Sequence, residues 1–239
     1  MPLPKIATPT YELEIPSTKK KISYRPFLVK EEKILIIAME SEDSKQIASA
    51  VKTVISNCIL TRGVKVEDLA TFDIEYLFLN IRGKSVGETV EVLITCPDDN
   101  QTQVPLEINL DDIKVNVSEE HSRDIKLDND LVLRMKYPSM SEFIKSNFNF
   151  QNSISVDDTF DLICSCIDQV YTKEETWSAK DCSKKELIEF VEQLSSKQFK
   201  QIEKFFQTMP KLSHEIKVKN PKTEVENTII LEGLTDFFA

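Results

Sequence analysis

The sequence is poor in glycine and histidine, and this scarcity argues against several kinds of chemistry. Only 4 of its 239 residues are glycine and only 2 are histidine. Loops that cradle phosphates need glycines at fixed spacing, because the backbone must approach the phosphate oxygens closely. The Gly-Lys-Ser string at Gly83 lacks the glycine required five residues earlier, where Phe78 stands. We therefore predict no nucleotide site there, and a turn that ends a helix.

With so little histidine, general acid–base chemistry would depend on carboxylates. Acidic doublets occur, but at predicted turns or at a predicted helix start, where local backbone interactions favour acids. The doublets are Asp98-Asp99, Asp111-Asp112, Asp128 with Asp130, and Asp157-Asp158. None has the glycine and terminal glutamate of a calcium loop. We expect a protein that is not an enzyme and uses no cofactor.

The cysteines are odd in number and lack the spacing of a disulfide framework. This is typical of a reduced, intracellular protein. Cys58 falls on the apolar face of a predicted helix and is expected in the core. Cys164 and Cys166 are predicted on one helix, about 200° apart, so that they cannot share a metal. Cys182 precedes a predicted helix cap, where a reactive thiol is an alternative.

Hydrophobic runs are short, and acidic residues outnumber basic ones. The longest wholly apolar run, Ile34–Met39, has six residues, against the roughly 20 of a membrane span. Residues 1–10 lack the basic and apolar parts of a secretory signal. The net charge is −10, and a surface of this kind repels phosphate backbones. We expect no nucleic-acid binding and interpret Lys19–Lys21 as a solvated turn.

Apolar periodicity predicts an α+β fold with a mainly helical body. Alternation at 11–15 and 22–27 predicts an N-terminal β-hairpin. A short helix is predicted over 30–40, and an amphipathic helix begins at Ser41. The next predicted helix, 66–81, is apolar on nearly all sides, so we expect it to be buried between layers or against another subunit.

Residues 88–136 are predicted to form a small antiparallel β insertion. Their alternating stretches flank a tight turn at Cys96–Asn100, and residues 91–136 carry 5 basic and 11 acidic groups, a net of −6. This acidity suits either the steering of basic partners or solubility alone. The predicted domains are therefore 1–87, 88–136 and 137–239.

The last segment is predicted to be mainly helical and to end in a β-hairpin and an aromatic tail. Ser followed three residues later by an acid or amide is a capping box, which satisfies the free backbone donors of a helix start. Four such boxes occur, at Ser139–Glu142, Ser155–Asp158, Ser183–Glu186 and Ser195–Gln198.

Two predicted hairpin tips, Cys96–Asp99 and Asn220–Thr223, have the outline of a zinc knuckle. In a knuckle, two thiolates of one tight turn bind half of a tetrahedral site. Of the four thiols expected for two knuckles, only Cys96 is present. We predict knuckle-like turns held without metal. The alternative is zinc bound by Cys96 with distant ligands such as His121 or His214.

Aromatic residues supply the candidate contact sites for a partner. Tyr76 and Phe78 lie on the nearly all-apolar helix, and Phe237 and Phe238 lie at the chain end. Aromatic residues at a chain end fray unless something docks them. The tail is expected either to fold back onto the core or to bind a neighbouring subunit.

Four strings carry a family resemblance: SYRPFLVKEEK from Ser23, FDIEY from Phe72, IRGKSVG from Ile81 and LEGLTDFF from Leu231. Together they resemble the hub subunits and hub assembly proteins of T4-type phage baseplates. The resemblance implies a viral, non-enzymatic protein of the tail hub, with other hub or tail proteins as partners and with homo-oligomers among the alternatives. It carries over no catalytic residue.

Two hypotheses follow from the resemblance. The first is a structural hub subunit of the virion that contacts its neighbours through the nearly all-apolar part of the predicted helix, residues 69–81, and the aromatic tail. The second is an assembly factor that shapes a hub intermediate in the host cytoplasm and then leaves, as a chaperone would. A host-directed enzyme is a third alternative, disfavoured by the missing motifs.

Overall fold

The computed structural model describes residues 6–41, 43–140, 142 and 156–233. Within these residues the protein has six α-helices and eleven β-strands, and every strand pairing is antiparallel. The predicted α+β class is confirmed. The chain forms two compact units, one from residues 1–116 and 211–239 and the other from residues 117–210. No described helix combines the length and the apolar character that crossing a membrane requires.

The helices are α1 (Val29–Glu40), α2 (Ser44–Cys58), α3 (Thr71–Val86), α4 (Val156–Ser165), α5 (Lys184–Glu192) and α6 (Ser196–Thr208). The strands are β1 (Tyr11–Glu14), β2 (Lys21–Tyr24), β3 (Thr89–Thr95), β4 (Gln103–Asn109), β5 (Lys114–Asn116), β6 (Asp124–Lys126), β7 (Val132–Met135), β8 (Ile167–Tyr171), β9 (Thr176–Ser178), β10 (Lys211–Lys219) and β11 (Glu226–Glu232).

The first unit begins with the paired strands β1 and β2, followed by three helices. The predicted helix at 30–40 is α1. Helix α2 buries one apolar face, and Cys58 on that face is fully buried, which confirms its predicted place in the core. The helix predicted over 66–81 begins later, at Thr71, after a single 3₁₀ turn at Val66–Asp68.

Two fully buried carboxylates fasten this part of the chain. Glu31 accepts hydrogen bonds from the Leu28 N–H at 2.9 Å and from Arg25 Nη2 at 3.0 Å. Asp73 accepts from both the N–H and the hydroxyl of Ser17, in the turn between β1 and β2. Each buried charge therefore has donors from a loop that must be fixed against a helix.

The remainder of the first unit is built from two sheets and α3. Strands β3 and β4 form a two-stranded sheet, and β11, β10 and β5 form a three-stranded sheet in that order. Alternate residues of both sheets meet in one apolar core, which also receives Leu79 from α3. The buried members are Leu79, Val92, Ile94, Cys96, Ile108, Leu110, Ile113, Leu212, Ile216, Val218 and Leu231.

The second unit pairs a four-stranded sheet, in the order β6-β7-β8-β9, with α4, α5 and α6. The capping boxes predicted at Ser183 and Ser195 begin α5 and α6, as expected. Ser139 and Glu142 exchange the two predicted hydrogen bonds, whereas Ser155 lies outside the described residues. Strands β8 and β9 occupy a stretch where the sequence predicted only helices.

The two units divide the chain differently from the three predicted segments. Strands of 88–136 enter three separate sheets, because β5 pairs with β10 while β6 and β7 pair with β8. Alternating apolar residues identify a strand but do not specify its partner. The predicted 88–136 insertion is therefore not one β module in the structure.

The turn predicted at Gly83 is wrong, because α3 continues past it to Val86. Gly83 lies inside the helix, where its small size brings the backbone close to Leu110. The helix ends at Gly87, whose φ of 149° is a conformation that residues with a Cβ rarely adopt.

Gly87→Ala should lower the free energy of unfolding by about 1–3 kcal/mol. A Cβ at position 87 meets no atom within 4 Å, so the loss would come from backbone strain alone. Urea unfolding measures the change. Gly83→Ala is the matched control, since its Cβ would make an ordinary 3.5 Å contact with Leu110 in a helical backbone and should not destabilise the fold. Equal losses in both variants would contradict the strain argument.

Candidate functional site

Asp98, at the tip of β3–β4, is hydrogen-bonded to the β10–β11 hairpin. Its carboxylate accepts from Asn220 Nδ2 at 3.0 and 3.1 Å, from Asn227 Nδ2 at 2.9 Å and from Thr223 Oγ1. The nearest of these partners in sequence is 122 residues away. We call these four residues the Asp98 clasp.

The two tips joined by the clasp have equivalent backbones. Asn100 N–H donates to the Cys96 carbonyl and Glu224 N–H donates to the Asn220 carbonyl, both at 2.9 Å. Asn100 and Glu224 both have left-handed backbones, with φ of 54° and 61°. Cys96 and Asn220 therefore hold the same place in the two turns. At the second tip the Asn220 side-chain oxygen also accepts from the Lys222 N–H at 2.8 Å.

Electrostatics fix the charge states at the first tip. Hydrogen bonds from Asn220 and Thr223 hold the pKa of Asp98 below its ordinary value. Hydrogen bonds from Thr102 hold the pKa of Asp99 far below its ordinary value. Burial raises the pKa of the Cys96 thiol. The tip thus carries two carboxylates and a thiol whose raised pKa makes it a poor nucleophile.

The residues named as alternative zinc ligands have other surroundings. In the described part of the chain, no three His, Cys, Asp or Glu side chains gather as a metal site would require. His214 lies within β10. His121 contacts Thr208 Oγ1 through Nδ1 at 3.1 Å and Tyr137 Oη through Nε2 at 3.0 Å.

The hydrogen bonds of Thr208 assign the tautomer of His121. Thr208 Oγ1 donates to the Lys204 carbonyl at 2.8 Å, so it accepts from the imidazole. Nδ1 therefore carries the proton and Nε2 accepts from the Tyr137 hydroxyl. The imidazole also packs against Phe205, with 5.2 Å between ring centroids. A neutral histidine satisfies this arrangement without any ion.

Ser85 lies at the centre of a Gly83–Gly87 motif that the sequence reasoning missed. The stretch has the Gly-x-Ser-x-Gly spacing of a nucleophile elbow, which needs a strand-to-helix turn, but here it lies at the end of α3. Ser85 Oγ donates to the Ile81 carbonyl at 2.5 Å and accepts from the Phe27 N–H at 2.9 Å. Both hydrogen bonds are structural.

The other cysteines belong to the interior. Cys164 and Cys166 lie in the same core of the second unit, and burial raises their thiol pKa values to about 11 and about 12. The prediction that they share one helix is wrong, because α4 ends at Ser165 and Cys166 follows it in a turn. The half-buried Cys182 thiol donates to the Ser178 carbonyl at 3.4 Å.

The predicted contact residues have different environments. Tyr76 is half-buried and packs against the core of the first unit, while Phe78 is only 8% exposed. Phe78 thus offers little surface to a partner in this conformation. Phe237 and Phe238 lie outside the described residues. A role of these four residues in partner binding stays a prediction.

The sequence reasoning missed an exposed apolar surface on α1. A helix turns about 100° per residue, so the six consecutive apolar residues at 34–39 cannot all face one core. This was the signal that could have found the surface. We call it the α1 face, and its members are Leu28 (40% exposed), Val29 (80%), Ile36 (52%), Ile37 (56%) and Met39 (60%).

A family model described as T4 bacteriophage base plate protein matches residues 8–239. The chain belongs to this family. The predicted resemblance to T4-type baseplate proteins is confirmed, and membership implies a place in the tail of the virion. No curated protein and no solved structure is significantly similar to the chain.

Two of the strings that carried the resemblance now have a physical role in this baseplate protein. The string from Ser23 contains the Arg25–Glu31 ion pair, and the string from Phe72 contains Asp73, which holds Ser17. Each string therefore contains a buried carboxylate that fixes part of the first unit.

Asn220→Ala should lower the free energy of unfolding by about 1–3 kcal/mol, because Asn220 is fully buried and removal of its amide leaves neighbouring polar groups without partners. Asn220→Asp should cost more, since a second carboxylate would then face Asp98. Chemical denaturation near neutral pH measures both. Asn129→Asp, at an exposed position, makes the same charge change and should alter stability by less than about 0.5 kcal/mol. An unchanged free energy of unfolding in Asn220→Asp would show that the Asp98 clasp does not stabilise the fold.

Unfolding should become easier as the pH falls from about 7.5 to 5.5. Burial, aided by Arg123, lowers the pKa of His121 below its ordinary value of 6.5. The unfolded chain therefore takes up the proton first, and stability present above about pH 6.5 is lost on acidification. His121→Gln should reduce this slope in urea unfolding, and His214→Gln is the control. An unchanged slope in His121→Gln would refute the assignment.

Proposed function

We propose that this baseplate protein is a structural subunit of the hub that acts through contacts with other tail proteins and catalyses no reaction. The observation that carries the proposal is the α1 face. Exposed apolar residues that gather on one side of an element are one mark of a protein interaction site. Val29, Ile36 and Met39 recur on one side of α1 at helical spacing, and each is more than half exposed. A partner that covers this side would remove all three from water.

The proposal that the protein is not an enzyme is supported by the state of its nucleophiles. The Ser85 hydroxyl is held in two hydrogen bonds. The thiols of Cys58, Cys96, Cys164 and Cys166 are buried, with pKa values raised by burial. Among the described residues, no base hydrogen-bonds to this hydroxyl or to these thiols, and none of the four thiols has the lowered pKa of an activated nucleophile.

An assembly factor that leaves before the virion is complete is the alternative, and it would use the same surface. The two functions differ in where the chain is found at the end of assembly. Quantitative mass spectrometry of purified infectious virions, scaled to a known baseplate protein, separates them. A stoichiometric signal supports a structural subunit. Presence in assembly intermediates with absence from virions supports the assembly factor, and absence from both refutes each.

Ile36→Glu or Met39→Glu should reduce incorporation into baseplates at least tenfold, because a charge would be placed where a partner buries apolar surface. Both side chains are more than half exposed, so the melting temperature of the isolated chain should stay nearly unchanged. Val117→Glu, at a 60% exposed position of the second unit, is the matched control. Normal incorporation of both α1 variants would show that the α1 face contacts no partner.

A further inference from the structure

The sheet formed by β3 and β4 has one covered face and one open face. Val92, Ile94 and Ile108 point into the core of the first unit, and the alternate residues point away from it. All eight of those outward residues are exposed. We call them the β3–β4 outer face; they are Thr89, Glu91, Leu93, Thr95, Gln103, Pro105, Glu107 and Asn109.

Two glutamates face each other on this outer face. Glu91 is directly opposite Glu107 in the strand register, and like charges in that position destabilise a sheet. No ion pair reaches either carboxylate from the described part of the chain. The free protein therefore keeps an uncompensated repulsion at a place where a threonine or lysine would remove it.

An apolar pair lies beside the two glutamates. Leu93 is opposite Pro105 in the same register, one step along the face, and Leu93 is 67% exposed. An antiparallel sheet that only faces water usually has polar residues on its outer side. The outer face therefore has an apolar part beside an acidic part.

The sequence around the two glutamates contains acidic residues but no basic ones. Residues 88–112 contain seven acidic residues and no lysine or arginine. Several of these acids already have partners, since Glu88 and Asp111 are near Lys84 and Asp98 is held in the clasp. Glu91 and Glu107 are thus left to attract a cation from outside.

The Asp98 clasp holds the β3–β4 outer face in a fixed conformation before any partner binds. It fastens the tip of β3–β4 to β10–β11 through three donor residues, while the other face of the hairpin packs in the core. A surface that is already ordered loses little conformational freedom when it binds.

We propose that the β3–β4 outer face docks a basic segment of a second baseplate protein. An arginine or lysine of that segment lies between Glu91 and Glu107, and an apolar neighbour covers Leu93 and Pro105. Arginine suits the position well, since its guanidinium can donate to both carboxylates. The inference rests on the proposed function, because it names the chemistry of one partner of a hub subunit.

Charge reversal separates this role from a purely structural one. Glu91→Lys turns the repelling pair into an attracting pair, so the melting temperature of the chain should rise. The same change should lower incorporation into baseplates about tenfold, since it places a cation against the basic segment. Glu91→Lys with Glu107→Lys should leave stability near the starting value and reduce incorporation further.

Glu174→Lys with Glu175→Lys is the matched control, because both residues are exposed in the β8–β9 turn and carry the same charge. Its incorporation should be unchanged. Normal incorporation of the Glu91→Lys chain would overturn the inference, as would an equal loss in the control.

The photoreactive residue p-benzoylphenylalanine at position 93 identifies the partner in assembling baseplates. A cross-link to a segment of another baseplate protein with an excess of lysine and arginine is expected. A cross-link to a neutral or acidic segment, or none in baseplates that contain the chain, overturns the docking proposal and leaves the hub function standing. If the unmodified chain enters neither virions nor intermediates, the hub function itself fails and the docking proposal with it.

Discussion

The architecture of the first unit depends on the hydrogen bonds that converge on Asp98. An apolar core attracts two sheets without fixing their relative register, because hydrophobic contact is not directional. The β3–β4 hairpin has only its own two strands, and an isolated hairpin is marginal in water. Directional bonds from Asn220, Thr223 and Asn227 supply what the core lacks. A zinc ion would make the same kind of connection with thiolates.

Two other carboxylates of the first unit are also held by hydrogen bonds, but their pKa values shift in opposite directions. Glu31 and Asp73 are both fully buried, and burial by itself raises a carboxyl pKa. For Glu31 the effect of burial is outweighed by hydrogen bonds and by the charge of Arg25, so its pKa falls. Asp73 has hydrogen bonds from Ser17 and is influenced by the charge of Lys19, but burial outweighs both and raises its pKa. Glu31 has direct ion pairs with Arg25 and Lys30, and these charges together with its hydrogen bonds outweigh burial.

Local sequence patterns predicted those features of the fold that depend on residues close together in the sequence. Period and capping boxes located α1, α2, α5 and α6, because helix starts and apolar faces are set by residues a few positions apart. They also located the two turns of the clasp. They did not pair Asp98 with Asn220, because the two residues are 122 positions apart in the sequence and local patterns carry no information about such distant contacts. Strands β8 and β9 were missed for the same reason, because sheet partners supply much of a strand's stability.

The two exposed surfaces of the first unit differ in the physics of recognition. The α1 face is apolar, so it gives affinity with little selection among apolar partners. The β3–β4 outer face is acidic and attracts only basic surfaces, which favours specificity and rapid encounter. Two copies of the chain repel one another through Glu91 and Glu107. Self-pairing at that face is therefore disfavoured, and the repulsion within the pair is relieved only when the basic partner binds. A subunit with these two surfaces can use the acidic one to choose its neighbour and the apolar one to hold it.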